Sequence, residues 1–294
     1  MRTSRLRRLA RLGPNLLLIV AAVYFLLPFV SMLRFAMQRV PMVDLGWHTL
    51  FKRWTVSTLS EAFRTAGFGP ALTLSLKLAL GTVLGTLVLL VPTALYVRLK
   101  LPEARSFVEL LSVLPYVVPP IAIVAGVAAF FRPNAKWFLN SPYSLIPFYI
   151  TLALPFTYRA LDAGIRAIDV RTLVDASRSL GAGWGTTLFR ALLPNLMSAV
   201  VSSSFLTAAV VLGEFTIANN LLRETFPVFS LKVYQDSPLG GLALAFMTLV
   251  GSTALLGLMM LLLRHWTKRE GTDAVAAVAE LAAVDAAPGR HPYS

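Results

Sequence analysis

Long apolar runs separated by short polar stretches set the pattern of this chain. The first run, 12–33, carries no charge for about 22 residues and follows Arg2, Arg5, Arg7, Arg8 and Arg11. At 1.5 Å per residue it is long enough to cross a bilayer. A cleaved signal peptide would have an apolar core of only about 7–15 residues followed by a small-residue cleavage site, and residues 34–38 offer no such site. The run therefore predicts a retained first span. Further runs predict spans near 70–97, 110–131, 143–158, 195–213 and 238–263, six in all. Lys77 falls in the outer third of the second span, where its ammonium reaches the headgroups by snorkelling. The third span holds Pro115, Pro119 and Pro120, and the fourth holds Pro147 and Pro155. Proline removes a backbone donor and kinks a helix. In span three the kink is either a packing feature or a bend that shapes a translocation path.

The polar stretches between the runs complete the expected layout. Residues 1–11 form a basic cytoplasmic N-terminus, and 39–69 an outer loop with a short interfacial helix. Residues 132–141 and 214–236 form two more outer loops. Residues 264–294, rich in alanine, read as a weakly ordered cytoplasmic tail. Of the 27 Lys and Arg residues, about 17 fall on the side of the termini, which supports a cytoplasmic location for both ends. The expected fold is an all-α integral membrane protein whose six-span domain covers 12–263.

Composition agrees. The chain is 56% hydrophobic and 14% charged, against about 25% charged for soluble domains. The net charge of +13 is spread beside the apolar runs and forms no single face, which argues against nucleic-acid binding. With no cysteine and three histidines, His48, His265 and His291, the chain offers no thiolate chemistry, no metal site and no cofactor site.

One long polar stretch, 159–194, interrupts the apolar pattern between spans four and five. Within it, Asp169 is placed to cap a helix that runs to Leu180, and Gly181 is placed to close it. Ile168, Leu173, Ala176 and Leu180 are expected to share a face, with Arg171 and Arg178 holding the Asp175 carboxylate. A second, weaker helix is expected from about Thr186 to Leu193, since Gly183 and Gly185 flank Trp184 at its start. Pro194 marks the junction with span five.

The residues Asp175-Ala176-Ser177, then Gly181 after three residues, then Ala191-Leu192-Leu193-Pro194 after nine, resemble the EAA loop of binding-protein-dependent ABC importer permeases of the type I, MetI-like class. That loop reads Glu-Ala-Ala, three residues, Gly, nine residues, Ile, one residue, Leu-Pro. Asp175, Ser177 and Ala191 depart from it in identity but not in spacing. The resemblance also takes in the six-span layout, Leu114-Pro115 with Pro119-Pro120, and Leu212-Gly213-Glu214-Phe215. It implies a coupling helix at Asp175, Ala176, Ser177, Gly181, Leu193 and Pro194 that docks on a cytoplasmic ABC ATPase subunit. It further implies a second permease, homologous or identical, and an external solute-binding protein as partners. The run Leu212 to Ala218 is most similar to the polyamine and aminophosphonate branch, with iron and sulfate or molybdate permeases nearby.

No lysine in the chain follows a glycine, so the phosphate-cradling Gly-Lys-Ser/Thr loop is missing and ATP hydrolysis is expected in a separate subunit. A secondary carrier would show intramembrane charges and inverted repeats, and a membrane enzyme would show converging catalytic side chains; the sequence has neither. The weaker candidates for a translocation path are Pro115, Pro119, Pro120, Ser203, Thr207 and Glu214. The competing reading for Ser203 and Thr207 is close helix packing. For Glu214 it is a helix cap or a pair with Arg223. The resulting expectation is the inner-membrane permease subunit of an ATP-driven importer, with a polyamine or similar small organic cation or zwitterion as substrate. An inorganic ion is the alternative.

Overall fold

A computed structural model describes residues 2–254 apart from 39, 41, 45, 50 and 51, together with 257, 258 and 261. The expected tail at 264–294 and the end of the sixth run lie outside the described residues. The helices are α1 (Arg2–Met37), α2 (Ser57–Arg64), α3 (Phe68–Lys100), α4 (Arg105–Val117), α5 (Pro120–Asn134), α6 (Lys136–Asn140), α7 (Leu145–Ala167) and α8 (Val170–Ser179). A helical stretch then runs through α9 (Trp184–Thr186), a π-helical segment Thr187–Leu192 and α10 (Leu193–Asn195). α11 (Met197–Gly213), α12 (Thr216–Asn220), α13 (Phe226–Asp236) and α14 (Pro238–Ala254) complete the described residues. Packing divides the described residues into two units, 2–74 with 224–253 and 75–223.

In the first unit α1 exposes Leu16, Leu17, Leu18 and Phe25 among many apolar residues, as a helix does whose solvent is lipid. Its end is tied down by the loop that follows. Gln38 donates to the Thr49 carbonyl at 2.6 Å and to the Lys52 carbonyl at 2.7 Å, and Arg34 donates to the Thr49 hydroxyl at 3.1 Å. Ala36, Ala62, Ala71, Phe229, Val233, Ala243 and Leu244 form the core of this unit. The short helix expected in the outer loop is α2.

The second unit is built around α7. It runs unbroken from Leu145 to Ala167, so the expected interruptions at Pro147 and Pro155 do not occur. Pro147 stands in the first turn, where no donor is needed. The helix also takes in the first nine residues of the polar stretch, which is thus continuous with the helix before it. Thr157 and Thr207 join α7 to α11 by a buried hydroxyl–hydroxyl hydrogen bond of 2.7 Å. Gly81 and Gly85, one turn apart on α3, face Ile146 and Ile150 of α7. A Cβ on either glycine would come within 2.7 Å of an isoleucine Cδ1, so the missing side chains let the two helices approach closely.

The proline-rich third run is broken into two helices. α4 and α5 meet at 86°. The residue before a proline is pushed to extended backbone, and Val118 and Pro119, with ψ of 122° and 135°, both precede one; Pro120 then starts α5. A second bend, of 77°, separates Trp184–Asn195 from α11. Among the described residues two helices, Asn15–Met37 within α1 and Phe68–Lys100, are long and apolar enough to cross a membrane, or up to four if each bent pair is one span.

Candidate coupling site

The polar stretch folds into a helix closed at both ends. At its start Asp169 accepts from the Thr172 backbone N–H at 3.3 Å and from the Thr172 hydroxyl at 2.7 Å. Those bonds, the hydroxyl first, hold the Asp169 carboxyl below its ordinary value. At its end Gly181 takes φ +80°. The Gly181 N–H reaches the Arg178 carbonyl at 2.9 Å and the Ala182 N–H the Ser177 carbonyl at 3.1 Å, the two bonds of a Schellman closure. Both ends of α8 follow the sequence expectation.

The face that α8 buries follows it in part: Ile168 and Leu173 pack on the core, while Ala176 and Leu180 do not. Val170 and Val174 are buried and Leu173 packs beside them, a spacing of three and four that lies on one side of a helix. Ile168 precedes the helix, Ala176 is exposed, and Leu180 is 88% exposed. Below α8 lie Leu90, Val91, Ala94 and Leu95 of α3, Tyr158, Leu161 and Ile165 of α7, and Leu192 and Leu196. Ser177 turns inward and donates to the Leu173 carbonyl at 2.8 Å. Asp175 is exposed, and among the described residues no arginine pairs with it. The Arg178 guanidinium lies instead 5.1 Å from the centre of the Trp184 ring, a cation–π contact. The outward surface therefore carries Asp175, Ala176, Leu180 and Trp184, with Phe189, 67% exposed, on the next helical stretch. That stretch is anchored by Thr187 and Leu192, with Leu193 packed on the same core and Pro194 exposed.

The six residues suggested for a path are not brought together. Pro115, Pro119 and Pro120 lie at the α4–α5 break. Ser203 and Thr207 are fully buried in α11, Thr207 against Thr157. Glu214 stands beyond α11, where its carboxylate accepts from the backbone N–H groups of Ile217 at 2.8 Å and Ala218 at 3.2 Å and so caps α12. The expected partner Arg223 donates to the Leu139 carbonyl instead.

A charged cluster that the sequence reading did not identify joins α4 to α7. Arg105 donates to both carboxylate oxygens of Asp162, at 3.1 and 2.9 Å, and Arg166 approaches the same carboxylate at 3.1 Å. One turn earlier on α7, Arg159 lies 3.5 Å from Glu109 of α4. The Asp162–Arg166 spacing of four was visible in the sequence; Arg105 stands 57 residues away.

The family described as the binding-protein-dependent transport system inner membrane component matches residues 91–268, more than half of the chain and all of the closed helix. The chain belongs to this family. Membership makes it a multi-pass inner-membrane permease component, not itself a catalyst. The chain is 29% identical over 135 residues to the spermidine/putrescine transport system permease protein PotC of Shigella flexneri, a match covering 45% of this chain and 51% of that protein. The likeness thus spans about half of that relative's length. It is 27% identical over 217 residues to PotB of the corresponding system of Salmonella typhimurium, covering 65% of this chain and 71% of the relative. Among solved structures, one chain of a bacterial ABC transporter involved in the import of the acidic polysaccharide alginate matches 86% of this chain and 96% of its own length. Its TM-score is 0.69 at 16% identity, a likeness of fold.

Proposed function

We propose that this permease forms the membrane path of an ATP-driven importer and that α8 is its coupling helix. The single observation that carries the reading is α8 itself, capped by Asp169, closed at Gly181 and seated on the core through Val170 and Val174. Such a helix moves as one body with α7, and its outward surface of Ala176, Leu180, Trp184 and Phe189 suits the groove of a cytoplasmic ATPase subunit. In this reading α1, α3, the α4–α5 pair, α7, α11 and α14 are the six spans, and both termini are cytoplasmic. A second permease completes the path, and an external binding protein delivers the solute. Of the loop residues, Asp175, Ala176, Gly181 and Pro194 are the ATPase-facing set, while Ser177 and Leu193 seat the loop on the core.

The substrate class is a polyamine. The two spermidine/putrescine permeases support it, and the structural relative of the alginate transporter bears only on the fold. The test is to co-express the chain with its ATPase and second permease, purify the complex in detergent and measure ATP hydrolysis against spermidine-loaded binding protein. The expected result is a complex that co-purifies and whose hydrolysis rises with spermidine. Replacing Leu180 and Phe189 by aspartate should release the ATPase subunit. A permease that purifies without any ATPase subunit would sink the reading, whereas stimulation by iron, sulfate or molybdate in place of spermidine would replace only the substrate.

A further inference from the structure

We infer that Asp162 is a positioning residue that makes α4 follow α7, so that motion of the coupling helix reaches the bent α4–α5 pair. The inference rests on the coupling role proposed for α8. Arg105 is the first residue of α4, and its planar guanidinium grips both oxygens of Asp162. A fork on a carboxylate fixes distance and orientation together, which a single contact does not. The Asp162 side chain is 12% exposed and that of Arg105 33%, so the carboxylate is largely withdrawn from water while the guanidinium is half-buried. Arg166 adds a second cation to the same carboxylate, and Arg159 with Glu109 adds a second rung one turn along the two helices. Buried ion pairs are poor sources of net stability, since desolvation offsets most of the attraction; their best-attested use is to fix one register. Here the register fixed is that of α4 on α7, at the end of α7 that leads into α8 through Ile168 and Asp169 alone. The other end of α4 leads directly to the 86° break at Val118. A displacement delivered to α7 is therefore shared by α4 at its base, and the break is where the shared motion changes direction.

Two measurements on the assembled complex in liposomes test this, and the absence of cysteine from the chain makes the second straightforward. The first is spermidine taken up per ATP hydrolysed, for Asp162→Asn and for the charge exchange Arg105→Asp with Asp162→Arg, made together with Arg166→Gln to remove the cation that would repel the new one. Coupling free energies between sites correspond to about 5–150-fold effects. Asp162→Asn is expected to lower the ratio at least about fivefold while ATPase subunits remain bound, and the exchange is expected to restore most of it. A merely structural role would change the amount of complex and leave the ratio per complex alone. An unchanged ratio in Asp162→Asn overturns the inference, as does an exchange variant that assembles without recovering it. The second measurement is the distance between spin labels at Phe107→Cys on α4 and Ser179→Cys on α8, with and without ATP. In the parent it should stay narrow and constant as the two helices move together, and Asp162→Asn should broaden it. A narrow distance in that variant overturns the inference. This readout needs no solute, so a complex that takes up no spermidine refutes the substrate reading and leaves the role of Asp162 to the labels.

Discussion

Gly164 of α7 faces Ala199 of α11 so closely that a Cβ added to Gly164 would overlap the Ala199 methyl group. The two helices thus touch backbone to backbone midway between the Thr157–Thr207 hydrogen bond and the start of the coupling segment. Gly164→Ala should force them apart at a cost of about 1–3 kcal/mol, as overpacking does. The expected outcome is a lower melting temperature of the purified permease. Adding Ala199→Gly should return most of the loss, because the two changes share one site; loss without recovery would mean that the contact is not what the glycine serves.

Gly181 presents the opposite case. Nothing lies within 4 Å of a Cβ placed there, so Gly181→Ala meets no steric obstacle and pays only for the left-handed backbone, about 1–2 kcal/mol. Gly181→Asn should cost less, because asparagine tolerates that conformation. Hydrogen exchange at Gly181 and Ala182, whose N–H groups close the helix, should quicken in the order Gly, Asn, Ala. Equal protection in all three would rule out the closure as the reason for glycine.

Asp169 gives α8 a pH dependence of known sign. Its carboxyl is held below the ordinary aspartate value of 3.8 by hydrogen bonds made only in the folded helix. The cap therefore contributes fully above that value and is lost as the pH falls below it, through the lower folded value. Amide protection at Thr172 should fall across that acid window in the parent and stay flat in Asp169→Asn, which keeps a cap but does not titrate. A parallel fall in both would assign the change elsewhere.

Glu214 is expected to matter through α12. Charged hydrogen bonds to backbone N–H groups contribute about 1.5–3 kcal/mol each, and Glu214 makes two. Glu214→Ala should lower the melting temperature of the purified permease clearly. Glu214→Gln, which retains one acceptor oxygen, should lower it less. If neither changes stability but both change solute uptake, the residue serves the path and not the cap.

How far the chain was legible follows from the range of each signal. Asp169 and Gly181 were readable because capping and closure are settled within four residues. The buried face of α8 was readable only in part. Of the expected set, Ile168 and Leu173 pack on the core, but Ala176 and Leu180 are exposed, and Val170 and Val174 complete the buried face. Pro119 and Pro120 announced a bend, but its 86° depends on two successive extended residues at Val118 and Pro119. The Arg105–Asp162 grip was hidden because its partners are 57 residues apart and either alone reads as a surface charge. Ser203 and Thr207 illustrate the converse: small hydroxylated residues suit a polar path and a tight helix contact alike, and the structure places both in a contact.

The π-helical segment at Thr187–Leu192 sets a phase. Thr187 and Leu192, five residues apart, both point into the core. In an α-helix of 3.6 residues per turn they would lie about 140° apart, while an i→i+5 ladder stacks them on one side. The segment thus absorbs one residue beyond the α count and turns the residues between it and the 77° bend by about 100° relative to an ordinary helix. The nine residues between Gly181 and Ala191 act as a vernier. Removing one from inside the segment would leave Thr187 and Leu192 four residues apart and still on one face at α pitch; removing one ahead of it would instead shift Phe189 and Leu192 relative to Gly181, even with every side chain otherwise unchanged.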